Sequence, residues 1–474
     1  MHSQLVVLGG GPGGYAAAFI AADEGLDVTI VEKDVRLGGT CLLRGCIPSK
    51  ALLHVARVIS EAHELTDDWG VDFGTPKIDL DKVRARKDAV IERMSGGLKQ
   101  LAKRRNVTVV NAVGKLVDAN TLALEGDDDS VPSEKEITFD HLIVATGSTP
   151  AMPGSLGIDS QRVIDSTGAL NLEELPKTLL VVGGGYIGLE MATVYAYLGS
   201  QVSIVELTDG LLPGADRDLV RPLEKRMKSL LNDRIYLSTK VGSLGERDGK
   251  VDVAFEGPGK YGVERYDKVL VAVGRRPNGL NLGLENTAAV VDKRGFVVVD
   301  PSQRTAQPNI YAIGDVAGEP MLAHKASHEA KVAVEAILGK PAVFQPAAIP
   351  AVVFTDPEIA WAGLTEEQAK RNQVAYEVAV YPWAASGRAQ ALGRSEGLTK
   401  ILVDPETTRV LGCGIVGPGA GELIAESVLA IEMGCEVRDI TESIHPHPTL
   451  SETVMNAGEV FYGSAVEIYK PKRK

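Results

Sequence analysis

At 474 residues the chain is longer than one hydrophobic core usually serves, so about three domains are expected. A hydrophobic content of 44% with 24% charged residues is ordinary for a globular protein, and a net charge of −13 speaks against a nucleic-acid partner. Four cysteines do not make a secreted disulfide scaffold, the first apolar run passes straight into glycines, and no apolar stretch is long enough to span a bilayer; the expectation is a cytoplasmic protein with no membrane partner.

Leu5 to Leu8 predicts a short buried strand. It leads into Gly9-Gly10-Gly11-Pro12-Gly13-Gly14, with G-x-G-x-x-G spacing at Gly9, Gly11 and Gly14, then a helical pattern over Tyr15 to Gly25 and a strand from Asp27 to Val31 ending at Glu32. Such glycines permit a tight turn, close approach of backbone to a pyrophosphate and close helix–strand packing, while the terminal acid suits a ribose hydroxyl. The glycine spacing alone is weak. Strand, turn, helix, strand and acid together predict a dinucleotide site.

Gly38-Gly39-Thr40-Cys41-Leu42-Leu43-Arg44-Gly45-Cys46-Ile47-Pro48-Ser49-Lys50 follows. Cys41 and Cys46 are close enough in sequence to close a small disulfide ring, with Gly45 easing the backbone between them. Ser49 to Leu65 predicts an amphipathic helix. Cys46 then sits just before a helix N-terminus, where the dipole favours a thiolate, the species that performs disulfide exchange. A structural disulfide or two buried thiols remain open on spacing alone.

Asp118 to Glu136 is polar and acid-rich and predicts a hairpin and loop. Asp140 to Ala145 predicts a strand entering Thr146-Gly147-Ser148. The first unit then recurs at a constant offset of 174 residues: Leu179 to Val182, a turn with Gly183, Gly185 and Gly188, a helix to Gly199, and a strand from Gln201 to Val205 ending at Glu206. A repeat with matched glycines and matched acid predicts two dinucleotide sites. Glu206 suits a free 2′-hydroxyl and repels a 2′-phosphate, which favours NAD over NADP; no arginine follows it until Arg217.

Asp267 to Val273 predicts a strand entering Gly274-Arg275-Arg276-Pro277-Asn278, parallel in design to the crossing at 146–148. Boundaries are therefore expected near 148 and 274, with a central segment over 275–345. Asn309 to Asp315 predicts a strand with an acid at its C-terminal end, where ligands bind in open α/β sheets, although a solvated aspartate is an alternative. From about Pro346 the pattern becomes antiparallel α+β, with strands at 351–355, 377–381, 399–403 and 412–416 and helices at 365–370 and 421–433. Such a domain, spanning 346–474, suits an interface. In the tail, Ser443-Ile444-His445-Pro446-His447-Pro448-Thr449-Leu450-Ser451-Glu452 is either a rigid catalytic loop or a surface turn. A histidine base needs a carboxylate to orient its ring, and Glu452 can supply one to His447.

With these motifs in place, the chain resembles the flavoprotein disulfide reductases from end to end, and among them the dihydrolipoamide dehydrogenases. The carriers are G-G-T-C-x-x-x-G-C-I-P-S-K at 38–50 and H-P-T-L-S-E at 447–452. The resemblance implies an α/β architecture of two Rossmann-like dinucleotide-binding domains, 1–148 for FAD and 149–274 for NAD, with 275–345 returning to the FAD domain and a C-terminal dimerisation domain. It implies FAD at Gly9, Gly11, Gly14 and Glu32, with Asp315 on the flavin side chain, and NAD at Gly183, Gly185, Gly188 and Glu206. Gly114, Thr146, Gly147, Ser148 and Gly274 join the implied cofactor contacts. Cys46 is implied as the thiol nearest the flavin, Cys41 as the one that exchanges with substrate, and Lys50 with Glu190 as an ion pair beside the flavin. His447, backed by Glu452, is implied as the base acting across a homodimer. The implied partners are lipoyl domains of 2-oxo acid dehydrogenase complexes or the glycine cleavage H protein.

Three positions depart from the pattern. Leu43 stands where asparagine is common, Arg44 adds a charge between the cysteines, and Pro446 replaces a frequent alanine; the first is expected to alter packing and redox poise without abolishing function. Glutathione reductase is the rival within the class, and it would favour a basic pocket after the second repeat.

Overall fold

The structure is a computed structural model and describes residues 1–468, so residues 469–474 of the expected C-terminal domain lie outside the described residues. Aliphatic strands alternating with glycine turns and helices build two sheets, the first mixed around a parallel centre and the second parallel throughout. In the first the order is Thr108–Asn111, Val28–Glu32, His2–Leu8, Glu136–Val144, Thr121–Glu125 and Val113–Leu116. The three strands Thr108–Asn111, Val28–Glu32 and His2–Leu8 run parallel, and Leu5, Val6 and Val7 are fully buried, as in a sheet covered on both faces. Helices Pro12–Asp23 and Ala323–Ile337 pack against each other on one face.

Glu136–Val144 serves twice. Its first residues pair antiparallel with Thr121–Glu125, and its last pair parallel with Ile310–Ala312. The polar stretch expected as hairpin and loop thus contributes a ladder strand, because Leu122 and Leu124 alternate inward there. The strand expected from Asn309 to Asp315 is shorter, Ile310–Ala312, and Asp315 lies in a following 3-10 turn, Gly314–Val316.

The second parallel sheet runs Ile235–Tyr236, Gln201–Val205, Thr178–Val182, Lys268–Val271 and Val163–Ile164. A three-stranded antiparallel meander, Lys240–Arg247, Lys250–Glu256 and Gly262–Tyr266, sits in the chain between its strands. Sequence pattern did not single it out, although Val251, Val253 and Phe255 alternate inward. The two passes between the sheets, Ser148–Pro150 and Arg275–Pro277, pair antiparallel as a short ribbon.

The C-terminal sheet is antiparallel in the order Ala351–Val353, Ile359–Gly363, Val410–Val416, Leu398–Val403 and Glu377–Pro382. Ile359–Gly363 is a strand the sequence pattern missed, and the Glu452–Tyr462 helix is another addition, with Glu452 as its first residue. This sheet is locked to the second parallel sheet by Lys400, only 1% exposed, whose ammonium reaches Asp216 at 2.8 Å, Asp218 at 2.7 Å and Glu366 at 3.0 Å. Buried lysines persist only with such partners. Among the described residues, no helix is long and apolar enough to cross a membrane.

Candidate active site

The strand His2–Leu8 ends in a turn where Gly9 has φ +112°, a conformation glycine takes without steric cost. A Cβ on Gly14 would lie 1.8 Å from the Gly9 carbonyl oxygen, so the helix beginning at Pro12 approaches the strand more closely than any side chain permits. The Glu32 carboxylate accepts the Gly10 N–H at 2.5 Å and the Asp34 N–H at 2.9 Å. Burial pushes the Glu32 carboxyl up, opposed by the Gly10 amide, which favours its charged form. The cradle opens on a cavity of about 940 Å³, whose wall includes Gly9, Gly11, Glu32, Gly114, Thr146, Gly147, Ser148, Asp315, both cysteines, Lys50 and Glu190. Gly14 stands behind the wall. Gly114 is in it for packing: a Cβ there would meet Leu122 at 2.7 Å and Leu8 at 2.8 Å.

The cysteine loop is pressed onto this cradle. A Cβ on Gly39 would lie 2.5 Å from the Gly11 Cα, so the two glycines bring loop and turn together. Cys41 lies in a short helix, Gly39–Arg44, and Cys46 opens the long helix Cys46–Trp69. That helix starts three residues before the expected Ser49, because Pro48 in the first turn needs no N–H partner. Cys46 therefore lies inside the first turn, not ahead of it. Gly45 is required for space: its Cβ would sit 2.9 Å from the Thr40 carbonyl oxygen. Both cysteines are free thiols. The interaction between the two thiols, with the positive charge of Lys50, lowers the Cys46 thiol to about 7. Cys41 is pushed up by the same interaction and by burial. The lowered member of the pair is the one in the first turn of the long helix, one turn from Lys50. Arg44, the unexpected charge in the loop, forms an ion pair with Asp34.

Lys50 lies one turn along from Cys46, and its ammonium donates to both Glu190 oxygens at 3.0 Å. Glu190, 4% exposed at its side chain, comes from the helix Tyr186–Leu198 of the second repeat, so the pair joins the two halves of the chain. Asp315 accepts from Ser148 Oγ at 2.5 Å, and Arg275 donates to the same hydroxyl at 2.7 Å. Asn278 donates to the Gly147 and Thr146 carbonyls, each at 2.9 Å. Arg275, Asn278 and Tyr186, also in the cavity wall, were not singled out from sequence. The crossing motif was the available signal for the first two.

The second cradle repeats the first. Gly183 has φ +111°, a Cβ on Gly188 would lie 2.1 Å from the Gly183 carbonyl oxygen, and Glu206 accepts the Gly184 N–H at 2.6 Å. Gly185 caps the helix Tyr186–Leu198 with open space around its Cα. The guanidinium of Arg217 is spent on the carbonyls of Leu211, Leu212 and Ala215 at 2.6–2.7 Å. Gly274, with φ +127°, turns the chain into the crossing ribbon and is absent from the large cavity's wall.

The two tail histidines differ. His445 is 7% exposed and held between Glu426 at 2.8 Å and the Ser443 carbonyl at 2.8 Å. His447 is 78% exposed, with Nδ1 2.8 Å from Glu452 Oε1, while Glu452 Oε2 accepts the Thr449 N–H at 2.7 Å. The ring is therefore oriented with Nε2 outward. His447 does not line the cavity that holds the cysteines of its own chain.

Residues 3–330 match the pyridine nucleotide-disulphide oxidoreductase family, and residues 349–457 match that family's dimerisation domain. The chain is 50% identical to dihydrolipoyl dehydrogenase from Vibrio cholerae, over 100% of this chain and 98% of that one. Among solved structures it is similar to LpdA from Mycobacterium tuberculosis, with a TM-score of 0.88 and 28% identity over 97% of this chain and 99% of that one. The Cu(II) complex of the HOCl-induced flavoprotein disulfide reductase RclA from Escherichia coli matches with a TM-score of 0.83 and 29% identity, over 95% of this chain and 98% of that one.

Proposed function

Since the chain belongs to the pyridine nucleotide-disulphide oxidoreductase family, we propose that it is a dihydrolipoyl dehydrogenase, oxidising dihydrolipoyl groups to the cyclic disulfide and reducing NAD. The observation that carries this reading is the placement of Cys41, Cys46 and the Lys50–Glu190 pair together in the wall of the first cradle's cavity. The cofactors are FAD and NAD. The first cradle fits FAD: its glycines leave bare backbone facing the cavity, Glu32 offers a carboxylate, and the volume is at the upper end for ligand sites. FAD, held there by Gly9, Gly11, Gly14 and Glu32, would supply the two-electron redox chemistry that links the cysteine dithiol to the nicotinamide. The second cradle, with Glu206 and an occupied Arg217, supports NAD over NADP.

In the proposed cycle the protein's residues do the proton and sulfur work. Nε2 of His447 takes a proton from a dihydrolipoyl thiol, and Glu452 stabilises the resulting imidazolium. The substrate thiolate attacks Cys41 Sγ of the Cys41–Cys46 disulfide, that S–S bond breaks, and Cys46 leaves as a thiolate favoured by Lys50 and by the first turn of its helix. The second substrate thiol then attacks the mixed disulfide at the substrate sulfur, closing the lipoyl ring and releasing Cys41, whose sulfur takes the second proton. Two electrons now reside on the cysteine pair. The chain carries the family's dimerisation domain and forms a homodimer. We assign the base to His447 of the partner subunit, since His447 is exposed and outside its own chain's cavity.

We take 1–148 as the FAD domain, 149–274 as the NAD domain, 275–345 as the return to the first sheet and 346 onward as the interface domain, with the 148–150 and 275–277 ribbon as the support for those limits. The partners we propose are lipoyl domains of 2-oxo acid dehydrogenase complexes or the glycine cleavage H protein, and the setting the cytoplasm, in keeping with four free cysteines. The test is NAD reduction by purified protein with dihydrolipoamide, beside NADP and beside glutathione disulfide with NADPH. Activity with dihydrolipoamide and NAD alone is expected; activity only with glutathione disulfide and NADPH would overturn the reading.

A further inference from the structure

We propose that Phe354, delivered by the C-terminal sheet, is a positioning residue that holds the Lys50–Glu190 pair and thereby the charge state of the cysteine pair. The inference rests on the site assigned above, in which Cys46 is the thiolate-forming sulfur.

Phe354 directly follows the strand Ala351–Val353. Its N–H donates to Glu190 Oε1 at 3.0 Å, and its ring centroid lies 4.3 Å from the Lys50 ammonium. An ammonium has three donors and two are directed at Glu190, so the aromatic face takes the remaining side of the charge. One residue of the C-terminal domain thus touches both members of a pair formed by the other two parts of the chain. The segment is itself pinned. Two residues on, Asp356 accepts from Arg394, and it also accepts from Arg226 at 3.3 Å and Ser60 Oγ at 3.3 Å.

Behind Phe354 lies a second cavity of about 240 Å³, lined also by His54, Arg57, Glu358 and Glu422. Lys50 belongs to the walls of both cavities, Phe354 to the second alone. The ring therefore lines the second cavity beside Lys50, against an ammonium that both cavities reach. Without it, Lys50 is freer to turn into the second cavity and away from Cys46, and its field at the sulfur weakens.

The sign follows from the groups that face Cys46. The Cys41 hydrogen bond and the Lys50 charge lower its thiol, Glu190 and burial raise it, and Tyr15 and Tyr186 lie close enough to feel its charge. Displacing or screening Lys50 removes a lowering influence, so Cys46 titrates at higher pH.

The experiment is a pH titration of thiolate absorbance on the dithiothreitol-reduced dimer with FAD bound, with the same titration of Cys46→Ser subtracted. Phe354→Leu is expected to raise the Cys46 midpoint by about half a pKa unit, about a three-fold lower thiolate fraction at pH 6. Phe354→Tyr keeps the ring and is expected to titrate with the parent. Phe354→Met replaces the leucine variant if that one does not fold. A folded, dimeric Leu or Met variant that titrates with the parent overturns the proposal, as does a Tyr variant that shifts as far as Leu. The titration needs no lipoyl substrate, so its failure is distinct from failure of the NAD-reduction assay.

Discussion

The two glycine cradles are close to copies, and their surroundings are not. Each has a glycine near φ +111°, a helix pressed onto the turn's carbonyl, and a glutamate accepting the N–H of the second glycine. Around the first lie the cysteine helix, the 146–148 crossing and the Asp315 turn, all lining one large cavity. The second turn's own glycines are outside that wall, but its helix sends Tyr186 and Glu190 into it. The repeat encodes a backbone shape for a dinucleotide. What else lines the site decides whether the dinucleotide serves as a resident group or as an exchanging one.

The largest effects come from breaking one cradle at a time. Gly14→Val would put side-chain atoms on the Gly9 carbonyl, and the purified protein is expected to lose bound flavin and all activity, read by visible absorbance. Gly188→Val makes the matching collision with Gly183 in the second cradle. Here flavin is expected to stay and to be reduced by dihydrolipoamide in a single turnover, with NAD reduction lost. Loss of flavin from both variants would show that the cradles are not separable.

Next in size is Cys46→Ser. A hydroxyl cannot serve as the leaving thiolate, so lipoamide turnover is expected to fall by at least about 1,000-fold with flavin still bound. Retained turnover would remove Cys46 from the exchange step.

Much of this division is legible in sequence, and the rest is hidden for a physical reason. The cradles, their acids and the cysteine loop are local, so spacing along the chain reports them. Glu190 is reached only through resemblance, and Asp315 reads from pattern only as an acid at the end of a strand. Their partners Lys50 and Ser148 lie 140 and 167 residues away, distances no periodicity spans. Phe354 reads as one more apolar strand residue. The cysteine helix begins earlier than the expected Ser49 because Pro48 is accommodated in a first turn. Glu452 marks out His447 in sequence, but the burial of His445 is not legible there, since its partner Glu426 is remote.

His447→Gln is expected to slow reduction of the enzyme by dihydrolipoamide by about 100- to 1,000-fold, as loss of a general base does, and to leave NADH oxidation by an artificial acceptor near the parent rate. Glu452→Gln keeps the hydrogen bond to the ring but not the charge, and a smaller loss, about ten-fold, is expected in the same half-reaction. Equal loss in both half-reactions would place His447 in a structural role. This pair sharpens the contrast further, since the thiol chemistry belongs to the first cradle's side alone.

The smallest effect separates the two acids. Glu206→Gln leaves an amide that can still accept from the Gly184 N–H but no longer offers a charged acceptor to a ribose hydroxyl. Hydrogen bonds to charged groups contribute about 1.5–3 kcal/mol, so the KM for NAD is expected to rise at least about ten-fold with kcat little changed, and discrimination against NADP to narrow. Glu32→Gln makes the same chemical change in the first cradle. The FAD assigned to that cradle is taken as a resident group of the large cavity, so steady-state KM for NAD is expected not to move, and only flavin retention on dilution to weaken. If Glu206→Gln instead left the KM unchanged while Glu32→Gln raised it, the assignment of resident and exchanging cofactor to the two cradles would have to be reversed.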